Sequence, residues 1–399
     1  MGRRWGSYGL VLASAVACYS ALGAALGVLP GYVGNGLHAN PIWIGLTVGA
    51  PSLTGAILRP LGGRFADRRG PRRVMVAGAV LMAVGIAPAI APELFALVVS
   101  RLIVGAGEAV MMSAAVLWLL RLAGPRRQAL SLGHIGLANY AGLTAGPLLA
   151  PPLGGAQHPG GVWLAAAALP LLAVAGVARV PVPDATTEGR RDADMDAMLW
   201  RVTLRPGVGL LLVNVGYVAV LAFGAAALSA HHLPLASAVI PVFAVGVIVS
   251  RTALGVLPDR FGPARTLLAA AAVEGVGLAV FGLTGSLAIA VTALIVLSLG
   301  QGLAVPSLGA LALEGVPPQR RGAAAGAFFA YFDAGVGLGG PLTGALTHAF
   351  SASVALVGSG VAVGLAAPTA LWRRRRRALD PYAGTEASDE TQNAAMHSR

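Results

Sequence analysis

Two stretches of this chain repeat each other and decide how it folds. Residues 59–73 read RPLGGRFADRRGPRR, and residues 251–265 read RTALGVLPDRFGPAR. At an offset of 192 positions, seven of these fifteen positions are identical. The identical pairs are Arg59 and Arg251, Gly63 and Gly255, Asp67 and Asp259, Arg68 and Arg260, Gly70 and Gly262, Pro71 and Pro263, and Arg73 and Arg265. This agreement indicates an internal duplication.

The repeat continues on the carboxyl-terminal side of both stretches. Residues 125–133, PRRQALSLG, correspond to residues 319–327, QRRGAAAGA. Gly146-Pro147 corresponds to Gly340-Pro341 at an offset of 194. Two repeated halves with a binding cavity between them are a known plan of membrane transporters.

The composition places these halves in a membrane. Hydrophobic residues make up 56% of the 399 residues, charged residues make up 11%, and the mean hydropathy is +0.75. A soluble domain carries about 25% charged residues. The 55 glycines suit the close helix–helix contacts that are formed in lipid. The chain is therefore expected to be an integral membrane protein.

Twelve apolar stretches are long enough to cross a bilayer, since a crossing needs about 20 residues. They lie near residues 8–29, 42–61, 74–91, 94–120, 129–149, 162–180, 207–229, 236–257, 266–283, 286–313, 323–347 and 351–372. The sequence thus predicts an all-α membrane protein with twelve transmembrane helices in two pseudo-symmetric six-helix bundles. The bundles comprise residues 1–180 and 207–372, joined by a cytoplasmic linker over 181–206 and followed by a disordered cytoplasmic tail over 373–399.

Arginine placement predicts the orientation in the membrane. Arginines occupy both ends of the chain and every second loop, whereas the alternate loops contain histidine and no arginine. Both termini and the linker are therefore expected on the cytoplasmic side of a bacterial cell membrane. The excess of arginine also explains the net charge of +12, which we attribute to topology and contact with membrane lipids and not to nucleic-acid binding.

Several function classes are excluded or disfavoured by what the sequence lacks. All 28 basic residues are arginine, and a Walker A phosphate-binding loop requires a lysine. The single cysteine, Cys18, cannot form an intrachain disulfide. Because no cluster of metal ligands is evident, the sequence predicts no metal, no cofactor and no enzymatic activity.

The motifs resemble those of the major facilitator superfamily. The loop Gly63-x-x-x-Asp67-Arg68-x-Gly70-x-x-Arg73 is similar to the family's signature between helices two and three, and a second copy begins at Gly255. Arg101-x-x-x-Gly105-x-Gly107 and Gly142-x-x-x-Gly146-Pro147 resemble segments of its twelve-helix drug/proton antiporters. The second of these matches is incomplete, because Ala150-Pro151 stands where the antiporters have a glycine pair.

The resemblance implies a secondary transporter that works by alternating access, in which protons drive the efflux of a small organic molecule such as a drug or secondary metabolite. Uptake of a nutrient or metabolite by the same fold remains an alternative, and a membrane-embedded sensor or enzyme is a remote one. The resemblance also implies that the loop acid pairs with an arginine and a neighbouring helix end, and so holds one state closed. A single chain is expected to be functional.

Charged residues within the predicted spans are the candidates for proton coupling, because such residues are costly in lipid and usually mark ion or substrate paths. They are Glu108, Arg101 and Asp333. Glu108 lies seven residues after Arg101 on one helix face, so an interaction between them requires extended side chains or a bridging water. Asp333 corresponds to Asn139 in the repeat. Glu108 is the preferred proton carrier and Asp333 is the alternative.

Two further groups of candidates follow. The gating-loop residues are Gly63, Asp67, Arg68, Gly70, Arg73, Gly255, Asp259, Arg260, Gly262 and Arg265, and the antiporter-motif residues are Gly142, Gly146 and Pro147. The polar residues expected to line a substrate cavity are Tyr19, Asn139, Tyr140, Asn214, Tyr217 and Gln301. They fall on spans one, five, seven and ten, which the resemblance places around the cavity.

The predicted orientation can be tested with reporter fusions. A reporter fused after Arg205 or Arg377 is expected to be active as a cytoplasmic fusion, because arginine-rich segments stay inside. One fused near His158 is expected to be active as an external fusion. An external signal at Arg205 would refute the division into six plus six spans.

Overall fold

A computed structural model describes residues 2–124, 128–178, 180, 182, 193–316 and 321–371. Within these ranges, the structure describes only the backbone of residues 2–4, Pro60, 128–130, Leu132, 193–201, Gly322 and Ala323. The loop arginines at 126, 127 and 320, residues 181 and 183–192 of the predicted linker, and the tail lie outside the described residues.

The first half consists of six long helices: α1 (Gly2–Gly31), α2 (Pro41–Arg69), α3 (Pro71–Gly85), α4 (Leu94–Ala123), α5 (Gln128–Leu148) and α6 (Gly160–Val177). Short non-α turns extend three of them: Tyr32–Gly36 after α1, Ala87–Ile90 after α3 and Pro151–Leu153 after α5. Asn40 accepts a hydrogen bond from the backbone of Ile42, and Pro41 occupies the first turn of α2, where its missing N–H is harmless.

The second half consists of α7 (Ala193–Ala230), α8 (Val239–Ala253), the short α9 (Leu257–Phe261), α10 (Pro263–Leu283), α11 (Leu287–Leu313), α12 (Arg321–Ala349), α13 (Ala352–Gly364) and α14 (Ala366–Leu371). A turn over Ala236–Ala238 precedes α8. Helices α13 and α14 together occupy the twelfth predicted span.

Helix α7 begins at Ala193, inside the predicted linker over 181–206, so the linker bounds stay a prediction. Its apolar part starts only near Val202. Hydropathy detects the part of a helix that lies in lipid, whereas backbone hydrogen bonds continue the helix beyond the membrane surface. Pro206 lies inside α7, as prolines in membrane helices can.

Ten stretches in the described part of the chain are long and apolar enough to cross a membrane. The remaining two long helices, α5 and α12, are less apolar because they contain groups such as His134, Asn139 and Asp333. Together these helices form the expected twelve-helix architecture. The two less apolar helices are repeat equivalents, and both lie where the halves meet.

The packing follows the sequence repeat. Helix α1 packs on α5 as α7 packs on α12, and α3 packs on α4 as α10 packs on α11. Contacts between the halves also occur in an equivalent pair, α2 on α12 and α5 on α8. The duplication seen in the sequence is therefore also a duplication of helix packing.

Gly70 and Gly262 show the repeat at the level of backbone dihedral angles. Gly70 has φ 85° and ψ 141°, and Gly262 has φ 84° and ψ 145°. A positive φ disfavours any residue with a Cβ. Each glycine is followed directly by a proline that begins the next helix, α3 or α10. The two loop motifs thus form the same helix–turn–helix corner.

Helices α2 and α12 are in backbone contact on the side of the molecule that lacks arginine. A Cβ added to Gly45 would overlap the carbonyl group of Gly340, and one added to Gly344 would lie 2.6 Å from the carbonyl oxygen of Pro41. Only glycine permits this approach. The contact joins the two halves at one end of their interface.

We expect Gly45→Val to separate α2 from α12 and to reduce stability by about 1–3 kcal/mol, the usual cost of overpacking. The melting temperature of the purified protein would measure this change. Gly9→Val is the matched control, because Gly9 lies on exposed α1 surface with nothing within 4 Å of an added Cβ. Equal melting temperatures for the two variants would contradict the close approach.

Candidate functional site

A guanidinium group joins the two halves in the interior of the protein. Nη2 of Arg59 lies 3.1 Å from Oε2 of Glu108, and Nε of Arg59 lies 2.5 Å from Oδ2 of Asp333. Nη2 also donates to Oδ1 of Asp333 at 3.1 Å, which makes this pair bidentate. The exposed fractions of the side chains are 23% for Arg59, 10% for Glu108 and 0% for Asp333. We call these three residues the Arg59 network.

The network draws its members from three helices. Arg59 lies on α2 and Glu108 on α4, both in the first half, whereas Asp333 lies on α12 in the second half. Glu108 is at the centre of α4, a helix of 30 residues that is about 45 Å long at 1.5 Å per residue. The Arg59–Asp333 pair therefore spans the interface at membrane depth, whereas the Arg59–Glu108 pair stays within one half.

Tyr19 on α1 extends the network. Its hydroxyl donates to Oε1 of Glu108 at 3.4 Å and also contacts the sulfur of Met112. Nη1 of Arg59 donates to the same sulfur at 3.1 Å. The structure thus brings together Glu108 and Asp333, the two alternative proton carriers of the sequence analysis, and Tyr19, which was predicted to line the substrate cavity.

Arg101 lies apart from this network. Its side chain is 2% exposed, and its Nε donates to the backbone carbonyl of Thr47 at 3.3 Å. Among the described residues, no carboxylate forms an ion pair with Arg101, and its Nη1 has no hydrogen-bond partner. The cation next to Glu108 is Arg59 and not Arg101, because Arg101 lies two turns of α4 away whereas α2 packs directly against Glu108.

A second arginine lies between the halves, beside α5. The guanidinium carbon of Arg251 on α8 is 4.8 Å from the ring centroid of Tyr140 on α5, a distance typical of cation–π contacts. Nη1 of Arg251 lies next to Gly136. Tyr217 on α7 packs edge to face on Tyr140 with ring centroids 6.5 Å apart. Gln301 on α11 lies within interaction range of Tyr140 and is fully buried.

The remaining two cavity candidates are placed less centrally. Asn214 is fully buried, and its Nδ2 donates to the carbonyl of Leu210 in the same helix at 2.8 Å. Asn139 is half-buried on α5, one position before Tyr140. Of the six residues predicted to line a cavity, Tyr19 joins the Arg59 network, while Tyr140, Tyr217 and Gln301 gather around Arg251.

The antiporter-motif residues contact α1. An added Cβ on Gly142 would meet Tyr19 and Ser20, and one on Gly146 would meet Ser20 and Ala24. Pro147 lies in the last turn of α5, which ends at Leu148, whereas the equivalent Pro341 lies inside α12. These residues therefore allow a close approach of α1 and α5.

The two loop motifs differ in their ion pairs. Oδ1 of Asp67 lies 3.7 Å from Nη2 of Arg121 at the end of α4. In the second copy, Asp259 has no ion pair with any residue in the described part of the chain. Arg260 instead lies over the ring of Phe261 at 5.5 Å. The arginine partner that the resemblance implies is thus present in the first copy.

Sequence reasoning identified Arg59 as a repeated position and missed its role. Arg59 is four residues before Gly63, so it lies on the same helix face one turn deeper than the loop. An arginine at that depth needs a counter-charge. This signal could have grouped Arg59 with the two buried acids, although it could not have shown that both acids share it.

Repeated six-helix halves that meet around buried polar side chains are the architecture of a secondary transporter. Comparison with known proteins identifies the family. The family model of the Major Facilitator Superfamily matches residues 11–334 and 229–394. The chain belongs to this superfamily.

Relatives and solved structures agree with this membership. The chain is 30% identical over 373 residues to an uncharacterized MFS-type transporter of Burkholderia mallei strain SAVP1, and the match covers 90% of each of the two chains. It is 30% identical over 339 residues to one of Salmonella typhimurium, covering 82% of this chain and 86% of the relative.

Among solved structures, the D323A mutant of the nucleoside transporter NupG has a TM-score of 0.78 at 15% identity, covering 92% of this chain and all of that chain. The human organic anion transporter MFSD10 has a TM-score of 0.67 at 17% identity, covering 92% of this chain and 99% of that chain. These two likenesses show the fold, which is that of a multi-pass membrane transporter.

The Asp67–Arg121 pair leads to a prediction about transport. Asp67 is 45% exposed, and exposed pairs contribute about 0–1 kcal/mol. Asp67→Asn should therefore leave the melting temperature nearly unchanged while strongly reducing the transport rate, if the pair holds one state of the transport cycle.

Asp259→Asn is the matched control, with an expected milder effect because Asp259 has no described ion pair. Transport rates in reconstituted vesicles would measure both variants. Wild-type transport by Asp67→Asn would rule out a holding role for the pair.

Proposed function

We propose that this transporter exports a small organic molecule from the bacterial cytoplasm in exchange for protons, and that the Arg59 network is the coupling element. The observation that carries this proposal is the shared guanidinium. One arginine of the first half binds an acid of its own half and an acid of the opposite half. The strength of an interface contact thereby depends on whether a carboxylate is charged.

The formal charges of the network favour a role in proton binding. One cation faces two carboxylates, so the fully ionised network has a net charge of −1. One proton makes it neutral. Because uncompensated charge is costly at membrane depth, proton uptake and release are expected to accompany changes in how these three groups are paired.

Protonation of Asp333 would weaken the link between the halves. A neutral acid loses its Coulombic attraction to Arg59, which then keeps only Glu108 within its own half. Buried ion pairs are sensitive to the loss of one partner, at a cost of about 3–5 kcal/mol. In the proposed cycle, α2 and α12 are therefore joined while Asp333 is ionised and can separate when Asp333 is protonated.

Protonation of Glu108 would have the opposite effect. Arg59 would then be held by Asp333 alone, which strengthens the contact between the halves relative to the contact within the first half. The site of protonation thus determines which helices move. We retain Glu108 as the preferred carrier, with Asp333 as the acid whose ionisation controls separation of the halves.

Export is favoured over uptake by the motifs of α4 and α5, whose pattern resembles that of drug/proton antiporters. The proposal includes a cytoplasmic location of both termini and rocking of two halves that correspond to residues 1–180 and 207–372. A single chain is the proposed functional unit, since one chain contains the whole network.

The experiment starts from a gene deletion. Metabolites that accumulate in deletion cells and disappear from the medium identify the exported compound. Everted membrane vesicles with an imposed pH gradient then measure its transport. Uptake of the compound by intact energised cells through this protein would refute export.

We expect Glu108→Gln and Asp333→Asn to lower gradient-driven transport at least about tenfold, which corresponds to 1.4 kcal/mol. Both should retain exchange of labelled for unlabelled compound without a gradient, because the amide keeps the shape and removes the titration. Glu274→Gln is the matched control, since Glu274 is a buried acid on α10 outside the network. Full coupling in Glu108→Gln with loss in Asp333→Asn would assign the proton to Asp333, whereas full coupling in both would refute the proposal.

A further inference from the structure

The repeat makes Arg59 and Arg251 equivalent, yet their surroundings differ. Both occupy the first position of the repeated stretch, and both lie on helices that reach across the interface, α2 toward α12 and α8 toward α5. Arg59 binds two carboxylates. Arg251 has no ion pair with any residue that the structure describes.

The difference originates in one position of the facing helix. The Gly-Pro pairs 146–147 and 340–341 align α5 with α12 at an offset of 194, which makes Asn139 the equivalent of Asp333. Arg59 faces Asp333 on α12. Arg251 faces α5, where the equivalent residue is the neutral Asn139. The symmetric ion pair exists on one side of the interface only.

Arg251 is consequently a cation without a counter-charge from the described protein. Its Nε is buried and has no hydrogen-bond partner, and the contact of its guanidinium group is the ring of Tyr140. Arg251 as a whole is half-buried. A cation–π contact is worth about 0.5–2 kcal/mol, whereas a hydrogen bond to a charged group contributes about 1.5–3 kcal/mol. An anion from outside the chain would satisfy the open donor.

The surroundings of Arg251 suit an anion with a flat, apolar body. Tyr217 packs against Tyr140 and also against Phe243 and Phe332, with ring centroids 5.8 Å apart in both latter pairs. The rings come from both halves, so separation of the halves would expose ring faces for stacking. Gln301, buried beside Tyr140, offers an amide for a polar substituent.

We propose that Arg251 binds the anionic group of the transported molecule, a carboxylate or phosphate carried on an aromatic or other planar body, which stacks on Tyr140 and Tyr217. Arginine suits this role, because its planar donors match both groups in a two-pronged geometry. This inference rests on the proposed transport function and specifies its substrate class. In this proposal, protons bind at the Arg59 side of the interface and the organic anion binds at the Arg251 side.

The different charges around Arg59 and Arg251 explain why the two arginines are proposed to have different roles. At the Arg59 side, two protein carboxylates already neutralise the cation and would repel an anionic ligand. At the Arg251 side, the guanidinium group contacts the ring of Tyr140 and lies next to Gly136. The buried acid Glu274 lies near this cluster, beside Gly216, but forms no ion pair with Arg251 in the described part of the chain, so an anion bound at Arg251 gains a counter-charge.

The test uses equilibrium binding to the purified full-length protein in lipid nanodiscs, without any gradient. The probes share one naphthalene body: 2-naphthoate and 2-naphthyl phosphate as anions, 2-naphthamide as the neutral analogue and 2-naphthylmethylammonium as the cation. Naphthalene fluorescence reports binding. The proteins are wild type, Arg251→Gln, Arg251→Lys and Arg64→Gln, in which an exposed arginine of α2 is the matched control.

We expect wild type to bind at least one of the two anions at least about tenfold more tightly than the amide or the ammonium, since each factor of ten is 1.4 kcal/mol and hydrogen bonds to charged groups contribute about 1.5–3 kcal/mol. Arg251→Gln should lose that preference, Arg251→Lys should retain part of it, and Arg64→Gln should match wild type. Melting temperatures show whether each variant is folded, and a folded Arg251→Lys keeps the test valid if Arg251→Gln is unstable.

Three results would overturn the proposal: no binding of either anion to wild type, equal binding of anion and ammonium, or an unchanged anion preference in Arg251→Gln. The outcome is separable from that of the proton-coupling experiment. Glu108→Gln is expected to keep the anion preference. Loss of the preference in Arg251→Gln together with intact proton coupling in both Glu108→Gln and Asp333→Asn would therefore support the anion site and refute the coupling role of the Arg59 network.

Discussion

The guanidinium group of Arg59 forms ion pairs with two carboxylates that belong to opposite halves of the protein. These two ion pairs constrain the rest of the interface. Arg59 can reach both Glu108 and Asp333 only when α2, α4 and α12 converge within hydrogen-bond distance. Taking charges out of water is expensive unless their partners are well placed. The neighbouring helices must therefore pack closely, and the glycines along α2 and α12 allow this approach.

Close packing and buried charge explain why α5 and α12 are not among the ten stretches of the described chain that are long and apolar enough to cross a membrane. They are repeat equivalents, and each lies against a helix of the opposite half. A helix at this interface is partly shielded from lipid by protein, so it can carry Asn139, Tyr140 or Asp333 where a lipid-facing helix would not. The polarity of these helices thus follows from their position in the packing.

The duplication gives two equivalent arginines, and substitution at one facing position gives them different partners. With aspartate at 333, Arg59 is held in an ion pair between the halves. With asparagine at 139, Arg251 contacts aromatic rings and keeps an open donor. A symmetric scaffold thereby contains one arginine paired with two carboxylates and an equivalent arginine with no ion pair in the described part of the chain, and both lie between the halves.

The sequence by itself determined the membrane class, the twelve crossings, the duplication and the family, because hydropathy, arginine spacing and repeated motifs are properties of order along the chain. It also determined the special backbone at Gly70 and Gly262, since a glycine before a helix-starting proline is a local signal. It nominated Glu108, Asp333 and Tyr19 separately, from depth and polarity. Only the tertiary structure decided that they meet at Arg59 and that Arg101 does not. Contacts between residues as distant as Arg59 and Asp333 depend on how two six-helix halves dock, and no local pattern along the chain specifies that docking.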